Sequence, residues 1–309
     1  MISRKEMTER IRAKALALGF DACGIVRAEP LEEERARLLT WLMKGHHAGM
    51  DYMARNTGKR LDPGKLVPGS KSVIVVLLNY YPGEIYEKHR GYPRISRYAT
   101  GRDYHKVMRK KLKGLLAWIN ETLAPAEGRV FVDTAPLLER AWARRAGLGW
   151  TGRNSLLLTK KGSWFFIGEI VTTLELSYDT TEVKDSCGTC TRCIDACPTQ
   201  AILPDRTVDA RRCISYWTIE YKGETFPEET PPLHGQAFGC DICQEVCPWN
   251  SKAQPHHIPD FVPQEGRLTL TRDDWEKMTQ AEFERLFAGT PVMRTGLVGM
   301  KRNVWHDER

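Results

Sequence analysis

No apolar run in this 309-residue chain is long enough and free enough of charge to cross a bilayer, which takes about 18 or more consecutive apolar residues. The first twenty residues, MISRKEMTERIRAKALALGF, hold no continuous apolar core, no small-residue cleavage site and no twin-arginine pair. Export is therefore not expected, and the protein should stay in the cytoplasm. No internal repeat spans the chain. No His-Glu-x-x-His motif occurs, and the eight histidines, two pairs of them at His46–His47 and His256–His257, read as surface or core residues. Before position 187 there is a single cysteine, Cys23, which reads as a small buried hydrophobe. A disulfide scaffold is excluded, because such scaffolds are short and secreted. Gly147-x-Gly149-x-x-Gly152 matches the dinucleotide fingerprint as a string. It follows an expected helix instead of a strand, so the context a nucleotide site needs is missing.

What is present describes a globular protein: 41% hydrophobic and 28% charged residues, at a length that suggests about two domains and an appendage. The net charge is +7, and from Arg94 to Lys113 there are eight Lys or Arg against one acid, Asp103; this stretch suits an anionic partner. Ser3 and Glu6 open a helix with Met7, Ile11, Ala15 and Leu18 on one face, and Gly19 suits its end. The run SVIVVLLNYY (72–81) predicts a buried strand and RVFVD (129–133) a short one. A helix is expected from Asp103, with Met108, Leu112, Leu115 and Ile119 on its apolar face. Further helices are expected at 136–146, with Pro136 in the first turn, and at 280–287; residues 164–176 read as one long or two short strands. The pattern predicts an α+β protein: a mixed α/β domain over 1–180, a cysteine module over 181–253, and a C-terminal segment over 254–309 that packs back on the core.

The remaining eight cysteines lie between 187 and 247. Cys187-x-x-Cys190-x-x-Cys193-x-x-x-Cys197-Pro198 is the bacterial ferredoxin run, whose fourth cysteine ligates the other cluster. Cys240-x-x-Cys243-x-x-x-Cys247-Pro248 supplies positions two to four of a second run; its first falls at Ala237, which cannot ligate. Cys213 is the spare cysteine that can fill the gap. Crossing the fourth cysteines predicts two [4Fe–4S] sites, one of Cys187, Cys190, Cys193 and Cys247, the other of Cys197, Cys213, Cys240 and Cys243. Two structural zincs are the competing assignment, but zinc sites favour paired knuckles over three cysteines at two-residue gaps closed by Cys-Pro. Two nearby clusters form a wire for single electrons, and a wire implies a redox centre at its end.

VDTAPLLERAWARRAGLGWTGRNSLL (132–157), CGTCTRCIDACPTQAI (187–202), RRCISYWTIE (211–220) and GCDICQEVCPWN (239–250) resemble the tRNA epoxyqueuosine reductases. The resemblance runs from GFDACGI near the start to GLVGMKRNV near the end. Many members carry a further helical-repeat segment, which this chain is expected to lack. The resemblance implies an N-terminal scaffold similar to reductive dehalogenases and flavin nitroreductases. It also implies base-off cobalamin beside a ferredoxin-like double-cluster domain, and no Asp-x-His-x-x-Gly signature offers cobalt a histidine. The implied reaction is the reduction of epoxyqueuosine to queuosine at the tRNA wobble position, fed by an external low-potential electron donor. A monomer without a membrane partner is expected. Asp133 matches the family's proton donor. A free aspartate has a pKa of about 3.9, so that role needs an apolar setting or nearby metal charge to keep the proton on; a helix cap is the plainer role for the position. The resemblance further assigns cofactor contacts to Arg60, Ser96, Asp133, Thr151, Asn154, Leu157, Ile167, Ser215, Cys240 and Asp241. Arg97, Lys106, Arg109, Lys110 and Arg140 are candidates for tRNA phosphate. A reductase of small molecules, like the corrinoid dehalogenases, and a ferredoxin-type carrier with an inert companion domain are the alternatives. The carrier has no use for 180 further residues and a basic stretch.

Overall fold

The computed structural model describes residues 2–86, 91–179 and 183–308. Its strands are β1 (Ala22–Arg27), β2 (Ser72–Asn79), β3 (Arg94–Ile95), β4 (Gly128–Phe131), β5 (Trp150–Thr151), β6 (Leu157–Leu158), β7 (Phe165–Thr172) and β8 (Gln236–Phe238). Its α-helices are α1 (Arg4–Ala17), α2 (Glu32–Met43), α3 (Thr57–Leu61), α4 (Tyr104–Thr122), α5 (Glu139–Arg145), α6 (Arg192–Asp195), α7 (Ile242–Glu245), α8 (Glu265–Leu268), α9 (Arg272–Lys277), α10 (Gln280–Phe287) and α11 (Gly296–Trp305).

The apolar run of β2 is buried because it lies inside a sheet covered on both faces. The strand order is β1-β2-β7-β4, and every neighbouring pair is antiparallel. One face packs Ile74, Val76 and Ile170 against Ile11 and Ala15 of α1 and Met108, Leu112 and Leu115 of α4. The other packs Val73, Val75, Ile167 and Val171 against Trp142 and Ala143 of α5 and Leu61 of α3. Helix α4 rides so close to β7 that a Cβ on Gly168 would lie 2.8 Å from the Met108 terminal methyl. Cys23 is buried in the first core, and burial pushes its thiol up to about 12.

Helix α1 starts as expected, with the Ser3 hydroxyl accepting from Glu6 N–H at 3.2 Å. Helix α4 is capped by Asp103, whose carboxylate accepts from His105 N–H at 3.0 Å. Helix α5 departs from expectation: it begins at Glu139, not at 136, because residues 133–138 are spent on the loop described below. Residues 164–176 contain one strand, β7. Gly149 and Gly152 belong to the β5–β6 hairpin region, where a Cβ on Gly149 would lie 2.2 Å from the Leu158 carbonyl oxygen; these glycines serve close packing.

In the cysteine module, α6 follows Cys190 and α7 follows Cys240, and the two helices pack on each other. The two-residue strand β3 pairs in parallel with β8, across a bulge. Around that pair, Ile95, Ala99, Ala237 and Phe238 join Trp275, Phe283, Phe287, Val292 and Met300 in a third core. The C-terminal helices are thereby anchored to strands from both earlier parts of the chain. Among the described residues, no helix is long and apolar enough to cross a membrane.

Candidate active site and cluster sites

Asp133 stands two residues past the end of β4, with φ +55°. Thr134 N–H donates to the Val132 carbonyl at 2.6 Å, which makes Asp133 the centre of a three-residue turn of the strained hand. Such strain collects at functional sites. The residue caps no helix, since Leu138 precedes α5. Its backbone N–H donates to the Glu139 carboxylate, and Arg109 donates to the hydroxyl of neighbouring Thr134.

The Asp133 side chain, 47% exposed, places Oδ2 at 3.1 Å from Nε2 of His105; Nδ1 of the same ring is 2.7 Å from Oδ1 of Asp103. Two carboxylates thus grip one imidazole. Burial opposes its charge, but the hydrogen bonds to Asp103 and Asp133 prevail and raise His105 to about 9. Burial also pushes Asp133 up, yet the His105 bond and charge outweigh it and hold the carboxyl below its usual value. At neutral pH the pair is imidazolium and carboxylate. The proton is held on His105, so an apolar setting that keeps Asp133 itself protonated is not what this site provides.

Behind Asp133 lie two more acids. Glu139 is raised by burial and by the Asp133 charge. Glu169 is fully buried, opposite Phe131 in the β4–β7 ladder, with neither carboxylate oxygen hydrogen-bonded; burial raises it well above the ordinary range, with Glu139 and Asp133 adding to the effect. The site's electrostatic neighbours include Tyr98, Tyr104 and Arg294, which sense the Asp133 charge. Arg294 pairs with Glu220 at 2.7 Å, and Tyr104 stacks on Phe166 at 4.1 Å.

The residues assigned to cofactor contact occupy several elements. Arg60 is buried; it donates to the Tyr52 carbonyl at 2.8 Å and leaves Nε without a partner. Asn154 is buried with Nδ2 unpartnered. Orphaned buried donors of this kind fit a large polar group seated against them. Leu157 and Ile167 are buried and apolar, and Thr151 accepts from Arg206 at 2.9 Å through its carbonyl. Arg140, on α5, donates to the Ser155 carbonyl at 2.5 Å and so ties the 151–157 turn to the Asp133 loop. Ser96 donates to Asp241, which also accepts from Arg97 N–H at 2.7 Å. Ser215 is half-buried just past Cys213. Both His105 nitrogens are engaged by carboxylates.

The eight clustered cysteines form no disulfide. Cys193 and Cys247 sense Cys187, and Cys247 also senses Cys190. Cys240 senses Cys213 and Cys197, and Cys243 senses Cys240 and Cys213. These neighbours follow the expected crossed grouping except at Cys243, which also senses Cys193. Among the described residues no three His, Cys, Asp or Glu side chains close on a single metal ion.

Of the basic candidates, Lys106, Arg109 and Lys110 are exposed on α4, on either side of the turn that points His105 at Asp133. Arg97 has to be withdrawn from the phosphate-binding set. Its side chain is 3% exposed and is committed to Asp241 and Glu245, because the bulged β3 turns it inward onto the cysteine module. A cavity of about 490 Å³ lies beside that ion pair, between Tyr81, Arg94, Trp164 and Asn250. None of these residues belongs to the Asp133 group. His105, Glu139 and Glu169 were not singled out from the sequence. The one signal available was Asp103-x-His105 at a helix start, a spacing that lets a capping carboxylate also hold the ring.

A mixed sheet-and-helix scaffold with an acid–imidazole site, joined to eight thiols in two sets, defines a two-cluster iron–sulfur oxidoreductase. The comparisons give the family. Residues 60–134 match the family model described as epoxyqueuosine reductase QueG, DUF1730, and residues 186–250 match a 4Fe-4S double cluster binding domain. The epoxyqueuosine reductase of Cellulophaga algicola is 48% identical over 98% of this chain and 99% of its own length; that of Pseudomonas aeruginosa is 42% identical over 96% and 84%. A solved epoxyqueuosine reductase bound to an epoxyqueuosine-modified tRNA stem loop superposes with a TM-score of 0.88 at 28% identity, covering 99% of this chain and 81% of that one. The Bacillus subtilis enzyme, solved with the loop of its catalytic aspartate swung out of the active site, also scores 0.88, at 28% identity over 99% and 82%. A reductive dehalogenase shares the fold, with a TM-score of 0.52 at 19% identity, over 98% of this chain and 38% of that one. The chain belongs to the epoxyqueuosine reductase family.

Proposed function

We propose that this chain reduces epoxyqueuosine to queuosine at the wobble position of tRNA, as a cytoplasmic monomer fed by an external low-potential donor. The observation that carries the reading is the joining, in one fold, of a solvent-facing carboxylate–imidazole acid to two four-thiol sets. The reaction takes two electrons and two protons: both C–O bonds of the epoxide break, a C=C bond forms, and the oxygen leaves as water. Arg60, Asn154, Leu157 and Ile167 would hold cobalamin, with Ser96, Thr151, Ser215, Cys240 and Asp241 as further contacts. Bound there, cobalamin would supply low-potential electrons, and two [4Fe–4S] clusters, which the crossed cysteine sets would hold, would supply single-electron transfer.

The protein's own contribution is acid catalysis and placement. An alkoxide is a poor leaving group, so the departing oxygen needs a proton. The proton held on Nε2 of His105 passes through Oδ2 of Asp133 to that oxygen, and Asp103 stabilises the imidazolium until then. The three-residue turn fixes the direction in which Asp133 presents the proton. Lys106, Arg109, Lys110 and Arg140 neutralise tRNA phosphate around the cleft. The test is anaerobic reconstitution with iron, sulfide and cobalamin, followed by incubation of the reduced enzyme with epoxyqueuosine-containing tRNA. Queuosine in the nucleoside digest is the expected product. Unchanged epoxyqueuosine from fully loaded, reduced protein would overturn the reading.

A further inference from the structure

Electrons for the proposed reaction come from outside the chain, so one of its faces has to receive the donor. Resting on that reading, we propose that the donor is a one-electron carrier protein with an acidic surface, and that it docks over Cys247 on a basic rim where the β5–β6 region meets the two cysteine runs.

The cysteines differ in how far they lie from solvent. Cys213 and Cys240 pack against Ala210, Ile214, Trp217 and Leu233 in an apolar core of their own. Cys247 instead lines an open groove of about 620 Å³ between α6 and α7, together with Arg192, Ala196, Val246, Pro248 and Ser251. The groove leads from the surface to a thiol of the Cys187, Cys190, Cys193 and Cys247 set, and much of its wall is apolar.

Three segments meet around it. Arg153 donates to the Gly188 carbonyl at 2.8 Å, Trp249 Nε1 to the Ser186 carbonyl at 3.3 Å, and Ser163 N–H to Asn250 Oδ1 at 2.7 Å. These bonds hold residues 152–168, 183–194 and 246–259 side by side. The three stretches carry Arg153, Lys160, Lys161, Lys184, Arg192 and Lys252 against one acid, Asp185. The groove adds Asp195 and Glu245. Asp185 is paired with Arg206, and Glu245 with Arg94 and Arg97. Asp195 accepts from the Thr191 hydroxyl at 2.7 Å. Lys160, Lys161, Lys184, Arg192 and Lys252 are exposed, and none has an ion pair among the described residues. Five free cations therefore face one carboxylate that lacks a cationic partner.

Fixed charge of one sign steers an oppositely charged partner and speeds its encounter. A small apolar contact inside a charged rim suits a weak redox complex, whose interface is small and whose partner has to leave after each electron. A polyanionic RNA would gain nothing from a groove that ends on a cluster thiol, whereas electron delivery to that set requires the partner there. At each encounter the reduced carrier loses one electron and the cluster that this set would hold gains it. Two encounters supply the two electrons of one epoxide reduction.

The test uses the loaded holoenzyme and, as probe, a [2Fe–2S] ferredoxin of strongly negative net charge. Calorimetry at several salt concentrations gives the Kd, and anaerobic stopped-flow absorbance follows reduction of the clusters without tRNA. The expected Kd rises with salt. Combining Lys160→Glu, Lys161→Glu and Lys252→Glu should weaken ferredoxin binding and slow cluster reduction at least tenfold each. Reduction by photoreduced deazaflavin, a small reductant, and affinity for tRNA should stay unchanged. Wild type that does not bind ferredoxin at low salt, or a variant that binds it as well as wild type, would overturn the proposal. So would slow reduction by both reductants, which places the defect in the cluster, and so would a loss of tRNA affinity with ferredoxin affinity intact, which gives the face to RNA. Should the combined variant not fold, the same three positions changed to Gln must weaken ferredoxin binding at least threefold, and wild-type affinity there would overturn the proposal. Loaded protein that takes electrons from ferredoxin but makes no queuosine speaks against the reaction and leaves the docking face standing.

Discussion

Asp133 is constrained twice, by its chemistry and by its backbone. A positive φ is tolerated by aspartate, asparagine and glycine far better than by other residues, so Asp133→Asn keeps the turn while losing the ability to pass a proton. General acid catalysis is worth about 10²–10⁴ in rate. Single-turnover conversion in this variant should fall at least a hundredfold with cofactor spectra and tRNA affinity unchanged, which rapid-quench analysis of the nucleosides would measure. His105 makes a prediction of its own. Its pKa is raised from 6.5 to about 9 in the folded protein, so the stability it adds is fully present below pH 6.5 and is lost as pH rises through about 9. The gap in urea midpoint between wild type and His105→Gln should therefore be widest near pH 6 and narrow steadily towards pH 9.5. The sequence made Asp133 visible through the motif around it. It hid His105, Glu139 and Glu169, because they stand far apart along the chain and meet through the start of α4, the start of α5 and the register of β7 on β4.

At the scale of elements, the cysteine module was the most legible part of the chain, since ligand spacing is a local property of the backbone. Cys213 comes from outside both runs, at the entrance to the turn of helix at Tyr216–Glu220, and we propose it as the fourth ligand beside Cys197, Cys240 and Cys243. Cys213→Ala should leave about half of the iron and labile sulfide, and low-temperature spectra should retain one cluster signal and lose the other. The β5–β6 hairpin offers a packing test. Adding a methyl at Gly149 drives it into the Leu158 carbonyl, a backbone atom that cannot swing away. Gly149→Ala should cost about 1–3 kcal/mol, seen as a lower Tm with reduced occupancy of the neighbouring cofactor site. The late start of α5 could not be read from the sequence. Pro136 and the apolar spacing after it suit a helix, and only the turn at Asp133 and the bond from its N–H to Glu139 explain why the helix waits three residues.

For the whole molecule, charge counted along the sequence and charge presented at the surface differ. Arg97 belongs to the basic stretch by position but is buried in ion pairs, whereas Lys106 and Lys110 face solvent beside the cleft. Binding to tRNA should weaken steeply with salt, each phosphate contact adding ~0.9 to the log–log slope if the RNA behaves as duplex DNA does. Reversing the charge of Lys106 and Lys110 together should weaken binding and flatten that slope, while leaving cofactor spectra unchanged. Titration by fluorescence anisotropy at several salt concentrations checks both. Arg109 is a poorer choice for this test, because it also holds Thr134 of the catalytic loop.

The ninth cysteine has a bearing on how the protein survives air. Clusters destroyed by oxygen leave eight thiols free to oxidise in wrong pairs, and one more reactive partner would enlarge the set of mispairings. Cys23 is sealed in the sheet core with its thiol held protonated and takes no part in that scrambling as long as the core stays folded. A reductant, iron and sulfide then have eight sulfurs to repair, all in one module, on a scaffold whose own thiol has stayed out of reach.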